Sequence, residues 1–167
     1  MPVLQCQGLT KYYDSLCALD HLDLSVEPGR IVGLLGPNGS GKTTLIKLAN
    51  GLLQPSSGSI LIGGEVPSAK THAMVSYLPE RIALSGWMNT TQLLDFYQDF
   101  YADFRRDAAE HMIAQLQLPL KQTVKQMSKG TREKLQLILT MSRRAKLYLL
   151  DEPIGGVDPA TRDYILH

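Results

Sequence analysis

Apolar and polar residues alternate through Leu22, Asp23, Leu24, Ser25 and Val26, the period of a half-buried strand. The Pro28-Gly29 pair predicts a turn after it. Ile31 to Leu35 is a short apolar run that stops at Gly36-Pro37, the pattern of a buried strand feeding a loop. From Thr43 the period changes. Leu45, Leu48 and Leu52 recur at helical spacing, as do Ile46, Ala49 and Leu53, so a helix is predicted to follow the loop. Ser59 to Ile62 and Met74 to Tyr77 read as further strands. Thr91 to Leu118 reads as helical, with Leu94, Tyr97, Tyr101 and later Met112, Ile113 and Leu116 on apolar faces. Thr131 to Arg144 predicts another helix, and Leu147 to Leu150 a fully apolar strand. Strands alternating with helices predict a mostly parallel sheet covered on both faces.

Composition adds a few exclusions. The chain has 167 residues, 44% hydrophobic and 20% charged, which fits one folded core and not a disordered chain. Seventeen basic against sixteen acidic side chains give a net charge of +1. A protein built to hold a phosphate backbone usually shows a strong basic excess, so no nucleic acid partner is expected. No uncharged run is long and apolar enough to span a bilayer, and Met1 to Gly8 has no signal-peptide pattern. Cys6 and Cys17 have no metal-like company and make no disulfide framework, so a reducing cytoplasm is the simplest compartment. No repeat, low-complexity tract or Gly/Ser linker interrupts the chain.

The candidate chemistry begins at Gly36-Pro37-Asn38-Gly39-Ser40-Gly41-Lys42-Thr43, a full match to G-x-x-x-x-G-K-[ST]. Glycines let the backbone curl so that successive amides point at phosphate oxygens. The helix that follows adds the positive end of its dipole. Lys42 can reach the β and γ phosphates as a point charge, and the Thr43 hydroxyl can hold Mg²⁺. An ordinary Gly-rich turn before a helix is the plainer reading. The strand before the loop and the helix after it favour the phosphate loop.

A second cluster stands at the end of the apolar strand Leu147 to Leu150, where Asp151 and Glu152 follow. In a parallel sheet, ligands sit beyond the carboxyl ends of the strands. Asp151 is then expected beside the phosphate loop, helping to hold Mg²⁺ through water. Glu152, on the other side of the strand end, is positioned to polarise an attacking water. A solvated acidic turn is the alternative for this cluster taken alone.

At this point the chain resembles the ATP-binding subunits of ABC transporters, in order from one end to the other. Leu9-Thr10-Lys11-Tyr12-Tyr13 looks like the family's opening segment, and Ala18-Leu19-Asp20 and Glu27-Pro28-Gly29 precede the phosphate loop as they do there. Gln54-Pro55-Ser56-Ser57-Gly58-Ser59-Ile60 resembles the segment that follows it. Ser76-Tyr77-Leu78-Pro79-Glu80 matches the loop joining the catalytic core to a helical subdomain. Met127-Ser128-Lys129-Gly130-Thr131 stands in the place of the family signature LSGGQ. Asp151-Glu152-Pro153-Ile154-Gly155-Gly156-Val157-Asp158-Pro159 resembles the Walker B strand end and D-loop.

The resemblance implies a P-loop NTPase fold of the α/β class, an ABC-type ATPase domain with an antiparallel N-terminal β-subdomain and a helical subdomain. It implies a single domain over 1–167, with 1–83 and 141–167 as catalytic core and 84–140 as helical subdomain. ATP and Mg²⁺ are the implied cofactors. Tyr13 is the position whose aromatic ring stacks on adenine. Gly36 through Thr44 would bind the nucleotide, Thr44 included. Two such subunits bury two ATP molecules head to tail. Ser128, Lys129 and Gly130 would then meet the γ-phosphate held by the other subunit. Lys129 replaces a signature glycine, and either strengthens ATP binding or points into solvent. Glu80 stands where many members have Gln. It cannot donate a hydrogen bond when ionised, but a role toward Mg²⁺ or its water is open to it. Asp158 would communicate across the dimer, and Lys42, Glu152 and Asp158 form the implied catalytic set.

The implied partners are a second copy or a homologous ATPase subunit and an integral membrane permease contacting the helical subdomain. That places the chain in the cytoplasm, at the inner face of the cell membrane. The wording YLPE, SKGTREK and DEPIGGVDP looks most like bacterial export systems with a separate permease. Trp87 is the candidate for the permease groove, the other aromatics from Phe96 to Phe104 being expected mostly in the core. Arg143, Arg144 and Lys146 read as a helix-terminal charge cluster or, alternatively, as a contact to lipid headgroups. The family's γ-phosphate histidine lies further beyond the Walker B Asp than this sequence extends. His21, His72, His111 and His167 are therefore expected to be surface or core residues, and the chain to be incomplete at its C-terminus. Two other functions stay open: an ABC-type ATPase without a permease, acting in DNA repair or translation, and a module that binds nucleotide without hydrolysing it.

Overall fold

The computed structural model describes residues 1–34, 41–151 and 159–166, in two compact units, Met1–Val75 and Ser76–His167. The first is built on two long strands, β1 (Leu4–Tyr13) and β2 (Leu16–Val26). Only Asp14 and Ser15 join them, and so short a connection permits only antiparallel pairing. The register runs from Leu4 opposite Val26 to Tyr13 opposite Leu16. β3 (Ser57–Ile62) pairs with the other edge of β1, also antiparallel, giving the order β2-β1-β3. Leu4, Cys6, Leu9, Val26, Ile60 and Ile62 are buried.

This is the antiparallel N-terminal sheet that the family resemblance implied, in place of the mostly parallel sheet that the hydrophobic pattern predicts, and β1 itself has no counterpart in that pattern. The reason is a change of phase within the strand. Leu4 and Cys6 are buried at spacing two, and then Leu9 and Thr10 are buried after a register shift. Gly8 sits in that shift with φ +55°, donating its N–H to Asp23 Oδ1 at 2.7 Å. An irregularity of this kind breaks the alternation that would announce the strand. The Thr10 hydroxyl donates to the Gly8 carbonyl at 3.1 Å and accepts from the His21 N–H at 3.0 Å.

The apolar run from Ile31 also departs from expectation. Residues 31–34 form no strand, and Ile31 is 95% exposed. A short apolar run becomes a strand only when a neighbouring strand pairs with it. Leu35, its last residue, lies outside the described residues.

Helix α1 (Lys42–Ala49) buries Leu45, Ile46, Leu48 and Ala49. The apolar period continues to Leu53, yet the helix stops. Gly51, at φ +73°, donates to the Leu48 carbonyl at 3.1 Å, and the next amide, Leu52, reaches the Lys47 carbonyl at 2.9 Å. This pair of bonds is a Schellman termination, and it leaves Leu52 exposed. A short helix, α2 (Ala69–His72), closes the unit, capped reciprocally by Ser68 and Thr71.

In the second unit β4 (Val75–Leu78) lies beside β5 (Leu147–Leu150). Around them come α3 (Thr90–Phe100), α4 (Arg106–Gln115), a 3-10 turn at Val124–Gln126, α5 (Lys129–Met141) and α6 (Pro159–Leu166). Leu78, Leu93, Leu94, Ile113, Leu135, Ile138 and Leu139 form the centre of its core.

The single helix expected from Thr91 to Leu118 is two, because the chain between them pairs elsewhere. Arg105 N–H donates to the Ser142 carbonyl at 2.7 Å, and Arg144 N–H to the Asp103 carbonyl at 3.0 Å. Arg143 is not part of a surface charge cluster. It is 5% exposed and forked onto Asp103, with its guanidinium 4.0 Å from the centroid of Tyr101. These pairings also end α5 at Met141, short of the expected Arg144. The aromatics of α3 divide by face: Tyr97 packs against the core, whereas Phe96 and Phe100 are exposed and stacked 5.6 Å apart.

Candidate nucleotide site

In the first unit the described part of the phosphate loop is its end. Gly41 is the N-cap of α1, with φ +93°. A Cβ there would stand 2.4 Å from the Ala18 carbonyl oxygen of β2, so both the backbone angle and the space require glycine. The helix starts with no side-chain cap and no acidic residue in its first turn. A helix N-terminus without acidic side chains suits an anion, because its amides and the dipole favour negative charge. Lys42, Thr43 and Thr44 occupy that first turn. Gly36, Pro37, Asn38, Gly39 and Ser40 lie outside the described residues.

Tyr13 ends β1, and its phenolic oxygen is 3.4 Å from Thr44 Oγ1, either atom able to donate. The fold thus brings together two candidate nucleotide residues that are 31 positions apart. Lys11, two residues earlier, places its ammonium 5.6 Å from the Tyr13 ring centroid and donates to the Gln54 carbonyl at 2.8 Å. Lys11 was not among the sequence candidates. No periodicity announces it, because β1 is not legible in the hydrophobic pattern and its register shifts between Lys11 and Tyr12.

In the second unit, Asp151 directly follows β5, and its N–H donates to the Leu78 carbonyl of β4 at 2.9 Å. It is 6% exposed. Glu80 follows β4 by two residues and is exposed. Both carboxylates act on Tyr77, whose phenol is pushed above its ordinary range, first by burial and then by the charges of Asp151 and Glu80. Glu152 and Asp158 lie outside the described residues.

The signature-like segment begins α5. Ser128 is its N-cap, accepting from the Thr131 N–H at 3.2 Å and donating to Thr131 Oγ1 at 2.8 Å. Lys129 is largely exposed, with its ammonium 3.9 Å from Glu133 one turn on. Gly130 is half-buried in the first turn.

Among the described residues, no group of three or more His, Cys, Asp or Glu side chains is placed to hold a metal ion. Mg²⁺ ordinarily takes one or two protein oxygens together with phosphates and waters, and a Thr43 hydroxyl and an Asp151 carboxylate are donors of that kind. No helix among the described residues is long and apolar enough to cross a membrane.

Comparison with known proteins gives the family and the fold. The family model described as ABC transporter matches residues 19–155. The Bacillus subtilis protein named SkfA peptide export ATP-binding protein SkfE is 33% identical over 171 residues, covering 99% of this chain and 72% of that protein. The ABC transporter ATP-binding protein YdbJ of the same organism is 37% identical over 166 residues, covering 95% of this chain and 53% of that one. A solved structure described as the ATP-binding subunit of an ABC transporter superposes with a TM-score of 0.86 at 26% identity, over 98% of this chain and 72% of the other. The fold is that of the ABC-type ATPase domain, a P-loop NTPase of the α/β class. The chain belongs to the ABC transporter family of ATP-binding proteins.

Proposed function

We propose that this chain binds and hydrolyses Mg-ATP in a head-to-tail dimer with a second copy or a homologous subunit, and that hydrolysis drives export through a separate membrane permease. The observation that carries the reading is the phosphate-loop sequence from Gly36 to Thr43, in which Gly41, left-handed and close against Ala18, is the N-cap of α1. Export draws further on the name of the relative SkfE, a peptide export ATP-binding protein.

In this reading Tyr13 stacks on the adenine base. The backbone amides from Gly36 to Thr44, other than that of Pro37, cradle the phosphates, and Lys42 neutralises the β and γ oxygens. Thr43 and Asp151 hold Mg²⁺, with Glu80 as a further oxygen near it. Mg²⁺ held there would supply positive charge to offset the charge that develops on the phosphates. Glu152 orients the attacking water and takes its proton. Ser128, Lys129 and Gly130 face the γ-phosphate bound by the partner, using the α5 N-terminus and the Lys129 charge. Asp158 links the two sites across the dimer. Residues 84–140 form the helical subdomain that meets the permease, with Trp87, 71% exposed, at that contact. The working place is the inner face of the cell membrane.

The test is the Mg-ATP hydrolysis rate of the chain against its own concentration, beside Glu152→Gln. A rate that rises faster than linearly and falls by about a hundredfold or more in the variant, with ATP still bound, supports the dimer and the role of Glu152. A strictly linear rate overturns the dimer. Unchanged turnover in the variant overturns the base.

A further inference from the structure

We infer that Lys11 is a positioning residue for nucleotide recognition, holding the Tyr13 ring with one face covered so that the other is the face offered to the base. This rests on the reading of Tyr13 as the base-stacking residue.

Three contacts in the first unit support it. The Lys11 ammonium stands 5.6 Å from the Tyr13 centroid, within the range where a cation is attracted to a ring face. The same ammonium donates to the Gln54 carbonyl at 2.8 Å, so it is tethered to the segment that follows α1. The far end of the ring is restrained separately, since its hydroxyl is 3.4 Å from Thr44 Oγ1 in the first turn of α1. Tyr13 is 40% exposed, so its ring retains surface open to a ligand. A ring pinned by its hydroxyl and by a tethered cation is oriented before a nucleotide arrives. Preorganisation of this kind reduces the ordering cost of binding. The backbone supports the arrangement from below. Tyr12 N–H donates to Ser56 Oγ, and Ser56 N–H to the Thr10 carbonyl, both at 2.9 Å. The segment 54–56 is thereby stitched to the end of β1, and the Gln54 carbonyl is held within reach of Lys11.

Such a role separates base binding from phosphate binding. Lys11 acts through the ring, so its loss should be felt by ATP and not by a ligand with phosphates and no base.

The experiment is equilibrium binding of ATP and of inorganic tripolyphosphate to the unaltered chain, Lys11→Met, Lys11→Arg, Tyr13→Ala and the Lys11→Met/Tyr13→Ala double variant, with thermal melting of each. Lys11→Met is expected to weaken ATP about three- to tenfold and to leave tripolyphosphate within about twofold. Lys11→Arg keeps a cation and a donor and should restore most of the ATP affinity. The double variant should bind ATP no more weakly than Tyr13→Ala alone, because Lys11 acts through that ring. Equal weakening of ATP and tripolyphosphate overturns the inference, since Lys11 would then act on phosphate directly. Unchanged ATP binding in Lys11→Met while Tyr13→Ala loses affinity overturns it too, leaving the stacking role of Tyr13 standing. Unchanged ATP binding in Tyr13→Ala overturns that stacking role and this inference together.

Discussion

Gly41 lies against Ala18 so closely that a Cβ on Gly41 would stand 2.4 Å from the Ala18 carbonyl oxygen and 2.9 Å from Leu19 Cδ2. The first clash is with backbone, which cannot rotate away, and φ +93° already excludes most side chains. Gly41→Ala is expected to cost about 2 kcal/mol or more and to displace the first turn of α1. Thermal melting reads the first effect and ATP binding the second. A variant that melts and binds as the unaltered chain does would contradict the contact.

A second close approach holds the antiparallel sheet. Gly58, at φ +75°, would place a Cβ 2.1 Å from the Gly8 carbonyl oxygen. This is where β3 meets β1 at the irregular step around Gly8. Gly58→Ala should lower stability by about 3 kcal/mol, whereas Gly33→Ala, where a Cβ would meet no atom of the described residues within 4 Å, should change it by less than about 0.5 kcal/mol. Denaturant unfolding of the two variants side by side distinguishes them.

Arg143 and Asp103 form an ion pair with Nε–Oδ1 at 2.9 Å and Nη2–Oδ2 at 3.2 Å, closing the α3–α4 connection onto the end of α5. The guanidinium is buried and the carboxylate mostly so. Asp103→Asn removes the charge that compensates a buried cation, and should destabilise the protein by about 3 kcal/mol. Replacing Asp95, a 58% exposed partner of Arg106, should cost less than about 1 kcal/mol. Urea midpoints of the two variants test the contrast.

The two cysteines should differ in reactivity. Cys17 is exposed, whereas Cys6 is 2% exposed and its thiol is pushed up to about 11, first by burial and then by the charge of Asp23. At pH 8 a thiol-reactive dye is expected to label Cys17 and to leave Cys6 protonated and shielded until the chain unfolds. The sign for stability follows from the same shift. A pKa raised in the folded state makes deprotonation favour the unfolded chain, so the contribution of Cys6 is full below pH 9.0 and is lost as the pH rises toward 11. Cys6→Ser should flatten the stability loss over that window. Rapid labelling of both thiols in the folded chain would sink the assignment.

Much of the local structure was legible in the residues themselves. The β5 strand falls at Leu147–Leu150 as the apolar run predicts, and α1 begins at Lys42, one residue before the change of period. The phosphate-loop motif and the family followed from residue types at fixed spacing, because glycines, a lysine and a hydroxyl in that order have few other uses. What the tertiary structure decided are the features that depend on partners distant in sequence. β1 escaped the pattern because its register shift at Gly8 exists only against β2 and β3. The break between α3 and α4 and the burial of Arg143 arise from pairing with residues 40 positions away. The hold on Tyr13 is of the same kind, since Lys11, itself bonded to Gln54, and Thr44 meet the ring only once the chain has folded back on itself. Periodicity reports which face of an element is buried, whereas hydrogen bonds and ion pairs between elements are set by packing. The chain's chemistry could therefore be read from its order, and the geometry that positions it could not.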